Sequence, residues 1–299
     1  MEWFVFALIT PVVFAGVDVV DKYILTNHVR NPFSYKLLTV LMDIPIPFLL
    51  LALIPVSFSF PWSVLSMLGG FVFSLSSILY LKAMGVEEAS RVVALFFVSP
   101  IFVLPLAFIF LGETLGLSKY LGAVLLVLSS VLVSYRRSER KKSSRISPAL
   151  GFMLTLALIH AGSDILVKHI LSFYDYWHFL FWSLIGGLLG GFLIFCFLKV
   201  RRNFNGNFRA ISKGVFFWVG ISTCLAYVGF ISYYLAVSLE SISLVAAVPS
   251  IEPFFVLLLT VLLSSLTRGA LREEVDKRAI VLKISAFVLI IVGAWLIAG

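Results

Sequence analysis

A few ionisable residues stand inside otherwise apolar stretches of this 299-residue chain, and their spacing is what could do chemistry. Asp18 and Lys22 lie four residues apart, and the same acid–base step recurs at Asp164 and Lys168. Four residues is about 1.1 helical turns, so each acid shares a helix face with its base. The two steps belong to one motif written twice. Residues 15–25 and 161–171 agree at six of eleven positions without a gap, Ala15/Ala161 and Gly16/Gly162 among them. His160 precedes Asp164 by the same four residues, so His160, Asp164 and Lys168 make one polar stripe, while Asp21 stands beside the first pair. Each such charge costs about 2.5–3.5 kcal/mol to place at mid-membrane, which makes it a candidate for function. Each pair would close a gate or offer complementary charges to a zwitterion. The plainer alternatives are mutual neutralisation of the pairs, lysines that snorkel to the interface, and a histidine satisfied within a core.

Glu252 is the strongest single candidate, because Pro249 and Pro253 flank it within an apolar run. Proline removes a helical donor and leaves carbonyls free, as in the broken helices of transporter sites. A carboxyl group in so apolar a place is suited to carrying a proton. Ser99 occupies the matching position of the first half. Asp43, just before Pro45 and Pro47, is a weaker candidate of the same kind. Tyr227, with Tyr80, Tyr233, Tyr234, Trp182 and Trp218, is placed to line a cavity, although aromatic residues in membrane helices more often pack or form interfacial belts.

These residues need membrane helices to hold them. The chain is 61% hydrophobic and only 13% charged, against about 25% charged in soluble domains. Apolar windows long enough to span a bilayer predict ten helices, near 3–25, 33–54, 62–81, 90–111, 117–135, 149–171, 177–198, 214–237, 242–265 and 280–298. The first run is read as a helix and not a signal peptide, since no basic segment precedes it and it carries Asp18. No connection is long enough to be a catalytic domain. Cys196 and Cys224 both fall in apolar spans and are expected to be small buried residues, not a disulfide or a metal site. Gly186, Gly187, Gly190 and Gly191 make overlapping Gly-x-x-x-Gly patterns that admit a close helix neighbour.

The duplication extends beyond the opening motif. Residues 80–103 align with 233–256 without gaps, matching Tyr80/Tyr233, Glu87/Glu240, Ser90/Ser243 and Pro100/Pro253 among others. Five helices per copy is an odd number, so the second copy enters the membrane upside down. The expected architecture is therefore an all-α integral membrane protein of ten transmembrane helices in two inverted five-helix repeats, 1–135 and 149–299, joined by a basic cytoplasmic linker at 136–148.

Pro100-Ile-Phe-Val-Leu-Pro-Leu-Ala-Phe-Ile-Phe-Leu-Gly-Glu113-Thr-Leu, followed by Gly122-Ala123, resembles the EamA-like branch of the drug/metabolite transporter superfamily. Ile251-Glu252-Pro253-Phe254 looks like that family's second signature. The resemblance implies a cavity enclosed by helices 1–4 and 6–9, with helices 5 and 10 at the periphery. The Leu-Gly-Glu after the fourth helix has no counterpart after the ninth, where a longer loop holds Glu273 and Glu274.

Charge decides the expected orientation. Nineteen lysines and arginines fall in or beside the loops after odd-numbered helices, against Lys119 alone on the other side. The positive-inside rule then puts those loops in the cytoplasm and both termini outside, although family members are often drawn the other way. The basic stretch Arg136–Arg145 is expected to contact anionic lipid headgroups as well as join the halves.

The function these features predict is a secondary transporter of a small polar or amphipathic, amino-acid-like metabolite across the cell membrane, driven by a proton or another gradient. A facilitative exchanger and a non-transporting lipid-binding scaffold are the alternatives. Among enzyme patterns, no His-Glu-x-x-His, Gly-x-Ser-x-Gly or paired-aspartate protease motif occurs. No cofactor, metal or nucleic acid is expected, membrane lipids are, and the chain is expected as a monomer or homodimer.

Overall fold

Prolines break three of the apolar runs, and the breaks fall where the candidate residues stand. The computed structural model describes residues 2–87, 89–134, 148–208, 211–263 and 277–298, and every regular element among them is a helix. The basic stretch 136–147, together with Glu273 and Glu274, lies outside the described residues. In chain order the helices are α1 (Glu2–Asn27), α2 (Pro32–Asp43), α3 (Pro45–Leu53), α4 (Trp62–Val86), α5 (Ala89–Phe96), α6 (Pro100–Leu111) and α7 (Leu117–Ser134). The remainder are α8 (Pro148–Leu171), α9 (Tyr176–Cys196), α10 (Leu198–Phe208), α11 (Lys213–Leu239), α12 (Ile242–Val245), α13 (Glu252–Leu263) and α14 (Lys277–Ala298).

Seven helical runs are long and apolar enough to cross a membrane, and three shorter apolar helices lie at Pro100–Leu111, Leu117–Ser129 and Ser285–Leu296. Large apolar side chains such as Phe48, Leu53, Phe110, Leu117 and Trp295 point outward. An outer surface of that kind is stable against lipid and not against water, so the chain is a multi-pass membrane protein. Cys196 and Cys224 are also exposed and free, contrary to the expectation of buried residues, because each sits on the outward face of its helix.

The run expected near 33–54 bends between α2 and α3, where Pro45 and Pro47 interrupt the backbone ladder just after Asp43. The run near 90–111 parts before Pro100, leaving Ser99 immediately ahead of α6. The run near 242–265 parts into α12, a 3-10 turn at Val248–Ile251 and α13, which opens on Glu252. Residues 199–208, which fall between the helices expected at 177–198 and 214–237, are helical instead. In α10 the exposed Lys199, Arg201 and Arg202 accompany a buried Phe204, the pattern of a helix lying at a membrane surface.

Small residues set the closest packing. α4 and α9 lie backbone to backbone: a Cβ on Gly70 would stand 1.8 Å from Ser183 O, and one on Gly186 would stand 1.9 Å from Met67 O. α1 packs extensively along α11, α8 against α4, and α7 against α14. Tyr174 and Trp182 both donate to Ser57 O, at 2.9 and 3.0 Å, which ties the loop before α4 to the start of α9.

The Leu-Gly-Glu signature has a visible structural purpose. Gly112 turns the chain with φ 66°, a conformation glycine adopts without strain. The Glu113 carboxylate then accepts from Ile242 N (2.9 Å), Ser243 N (3.1 Å) and Ser243 Oγ (2.6 Å), capping the first turn of α12 in the other half. Glu113→Ala should therefore lower stability by about 1–2 kcal/mol, the usual effect of losing a helix cap. Thermal unfolding of the purified protein measures this, and an unchanged midpoint would remove the cap from the account.

Candidate functional site

The broken helices and the polar stripe converge on one cavity of about 340 Å³. α1, α2, α4, α5, α8, α9 and α11 wall it, together with the segment around Glu252, and no residue of α7 or α14 described here contributes to the lining. Asp18, Asp43, Ser99, His160, Asp164, Tyr227 and Glu252 all line it, so seven of the nine candidate residues come together. A volume of this size falls at the lower end of small-molecule sites.

The other two candidates, Lys22 and Lys168, do not line the cavity. Lys22 Nζ donates to Met84 O (2.7 Å) and Glu87 O (2.6 Å) at the end of α4. Lys168 Nζ donates to Val237 O (2.8 Å) and Glu240 O (2.7 Å) at the end of α11. The expected acid–base pairs are therefore corrected: each lysine satisfies the open carbonyls at a helix C-terminus, where the backbone dipole also favours a cation. The acids turn to tyrosines instead. Tyr80 OH donates to Asp18 Oδ1, and Tyr233 faces Asp164 in the matching place. The repeat is thus carried by two Asp–Tyr and two Lys–carbonyl contacts.

Glu252 stands beside Asp18, so a carboxyl group from each half of the chain meets there. Both are buried, and Asp18 Oδ2 has no hydrogen-bond partner among the described residues. Ser99, which matches Glu252 in the sequence repeat and also lines the cavity, has no charge. His160 packs edge-on against Phe73 (5.1 Å) and Phe96 (4.7 Å). Phe230 adds a further ring beside Phe73 at 5.2 Å.

Two groups of the site were not singled out by the sequence. Asp21 ties three helices, accepting from Tyr35 OH on α2 (2.6 Å) and Ser222 Oγ on α11 (2.7 Å). Lys36 is buried, lines the cavity and faces Asp43 and Asp21, yet donates no hydrogen bond among the described residues. Asp43 accepts from Tyr227 OH at 3.0 Å. Ser74 and Thr223 also line the cavity with hydroxyl groups that have no partner among the described residues. Unused donors of this kind are what a polar ligand or water would satisfy. The only available signal for Lys36 was a lysine inside an apolar span, which Lys22 and Lys168 share.

The Asp21 junction gives a direct expectation. Tyr35→Phe removes one donor from a buried carboxylate and should destabilise the protein by about 1–3 kcal/mol. Ser222→Ala in the same background should be non-additive, since both act on Asp21 Oδ1. Equilibrium unfolding of the four proteins checks this, and simple additivity would contradict it.

A crystal structure similar over 96% of this chain and 95% of its own has a TM-score of 0.64 at 14% identity, a likeness of fold alone. No curated protein matches the sequence. The model of the EamA-like transporter family matches residues 1–135, the stretch that supplies Asp18, Asp43, Tyr80, Ser99 and Glu113. Over residues 1–135 the chain is thus similar to the EamA-like transporter family.

Proposed function

We propose that the chain is a secondary transporter that moves a small polar or amphipathic metabolite across the cell membrane by alternating access, with Glu252 as the proton carrier. The observation that carries this reading is the cavity itself, where ionisable groups from both halves meet at the breaks of three helices. Aromatic rings cover its apolar wall, Lys36 offers a positive charge and Asp164 a negative one. An amino-acid-like zwitterion with an apolar body fits that combination.

Ten membrane helices in two inverted repeats, 1–135 and 149–299, are part of the proposal. Its support is the pairing of contacts. α1 against α11 corresponds to α8 against α4, and α1 against α13 to α8 against α6. The contacts of Lys22 and Asp18 likewise correspond to those of Lys168 and Asp164. With odd-numbered loops in the cytoplasm, as the charge distribution favours, both termini lie outside.

A thermal-shift screen against a metabolite library, run on wild type and Asp164→Asn, tests the reading. Stabilisation by zwitterions that the variant loses is the expected result. Equal stabilisation of both proteins would move the site away from Asp164. A wild type that answers only to lipids would favour a scaffold.

A further inference from the structure

We infer that Asp18 and Glu252 form a single proton-binding site in which one proton is held between two carboxyl groups, one from each half of the chain. The inference rests on the transporter reading above and deepens it, because it replaces one proton carrier by a pair. Two carboxylates side by side in an apolar place repel each other, and a shared proton removes the repulsion. The geometry has the opening such a proton would fill. Asp18 is 5% exposed, its Oδ1 takes the Tyr80 hydroxyl, and Oδ2, on the same carboxyl group, has no donor among the described residues. A proton between the carboxyl groups gives Oδ2 its missing hydrogen bond.

The surroundings select for one proton at this place. Tyr80 from α4 faces the pair, and Asp21 lies one turn further along α1. Lys36 from α2 faces Asp21 and Asp43 rather than the pair. Lys22, one turn beyond Asp18, is directed to the carbonyls of α4. The homologous lobe has Asp164 and its tyrosine but Ser99 where the glutamate would be, so the second carboxyl group is specific to one lobe. Because α1 and α13 come from different halves, the proton also joins those halves. Its release leaves like charges facing each other across the junction, which links proton loss to relative movement of α1 and α13.

Infrared difference spectroscopy of the purified full-length protein tests this without any transport assay. A pH titration should show one protonated-carboxyl band that shifts on transfer to heavy water. Asp18→Asn and Glu252→Gln should each abolish that same band, and the double variant should remove nothing more. Tyr80→Phe, which keeps both carboxyl groups, should move the band's frequency without eliminating it. Thermal unfolding reports whether each variant is folded. A band lost in Glu252→Gln but kept in folded Asp18→Asn would assign the proton to Glu252 alone and overturn the shared site. Displacement of the band by sodium at constant pH would make the pair a cation site instead. A protein that shows the shared band yet moves no substrate would refute the transporter reading and leave the pair intact.

Discussion

Glu252→Gln should reduce uptake driven by a pH gradient to the level of empty vesicles, while exchange of labelled for unlabelled substrate continues. The separation follows from where Glu252 sits. It opens α13 after a proline-containing 3-10 turn, buried and beside Asp18. Glutamine keeps the size of the side chain, and its amide can donate to Asp18 Oδ2 as a protonated carboxyl group would. The variant is then held in the equivalent of the protonated state. Substrate-loaded protein can still reorient, which is all that exchange requires, but no proton is carried and the gradient does no work. The measurement is uptake into reconstituted vesicles with and without an imposed pH difference. Driven uptake that survives the substitution would remove Glu252 from the coupling step, and loss of both activities in a folded variant would make it a binding residue only.

Gly186→Ala should be nearly as damaging, through packing instead of charge. The added Cβ would stand 1.9 Å from Met67 O and 2.6 Å from its carbonyl carbon, both backbone atoms. No side-chain rotation relieves such an overlap, so α4 and α9 must separate. Overpacking of this kind costs about 1–3 kcal/mol, and this junction is also one wall of the cavity. Gly70→Ala meets Ser183 O at 1.8 Å and should behave alike. Gly85→Ala and Gly220→Ala, where nothing lies within 4 Å, should leave unfolding and transport unchanged. Thermal unfolding and exchange activity of the four variants make the comparison. Silence at Gly186 would mean that the two helices are not held at backbone contact.

The placement of the helices was legible in the sequence because bilayer length and hydropathy are properties of one segment at a time. The breaks beside Asp43 and Glu252 were legible for a similar reason, since proline acts on its own helix, whereas the run at 90–111 was expected unbroken and parts before Pro100. Lys22 and Lys168 were harder. Four-residue spacing correctly put each on the face of its aspartate, but a lysine stem is long enough to reach another helix, and the open carbonyls that attract it belong to residues more than sixty positions away. Asp21 was visible only as a neighbour of Asp18, because its partners Tyr35 and Ser222 are on two other helices. Glu113 stood within a recognised signature, yet its service to α12 requires knowing which loop lies beside it. For Lys22, Lys168, Asp21 and Glu113, what remained hidden was a contact between segments.

The measurement that tests alternating access most directly is two-sided cysteine labelling. Cys196 and Cys224, which are exposed and free, are first replaced by serine. Single cysteines are then placed at Thr39 on α2 and at Ser183 on α9, two cavity-lining positions in different halves of the chain. A membrane-impermeant maleimide is applied to either face of oriented vesicles. The two positions should react from opposite faces, and substrate or an imposed pH difference should raise the reactivity of one while lowering the other. Labelling of both from the same face, or reactivity that substrate does not change, would contradict a cavity opened alternately to the two sides.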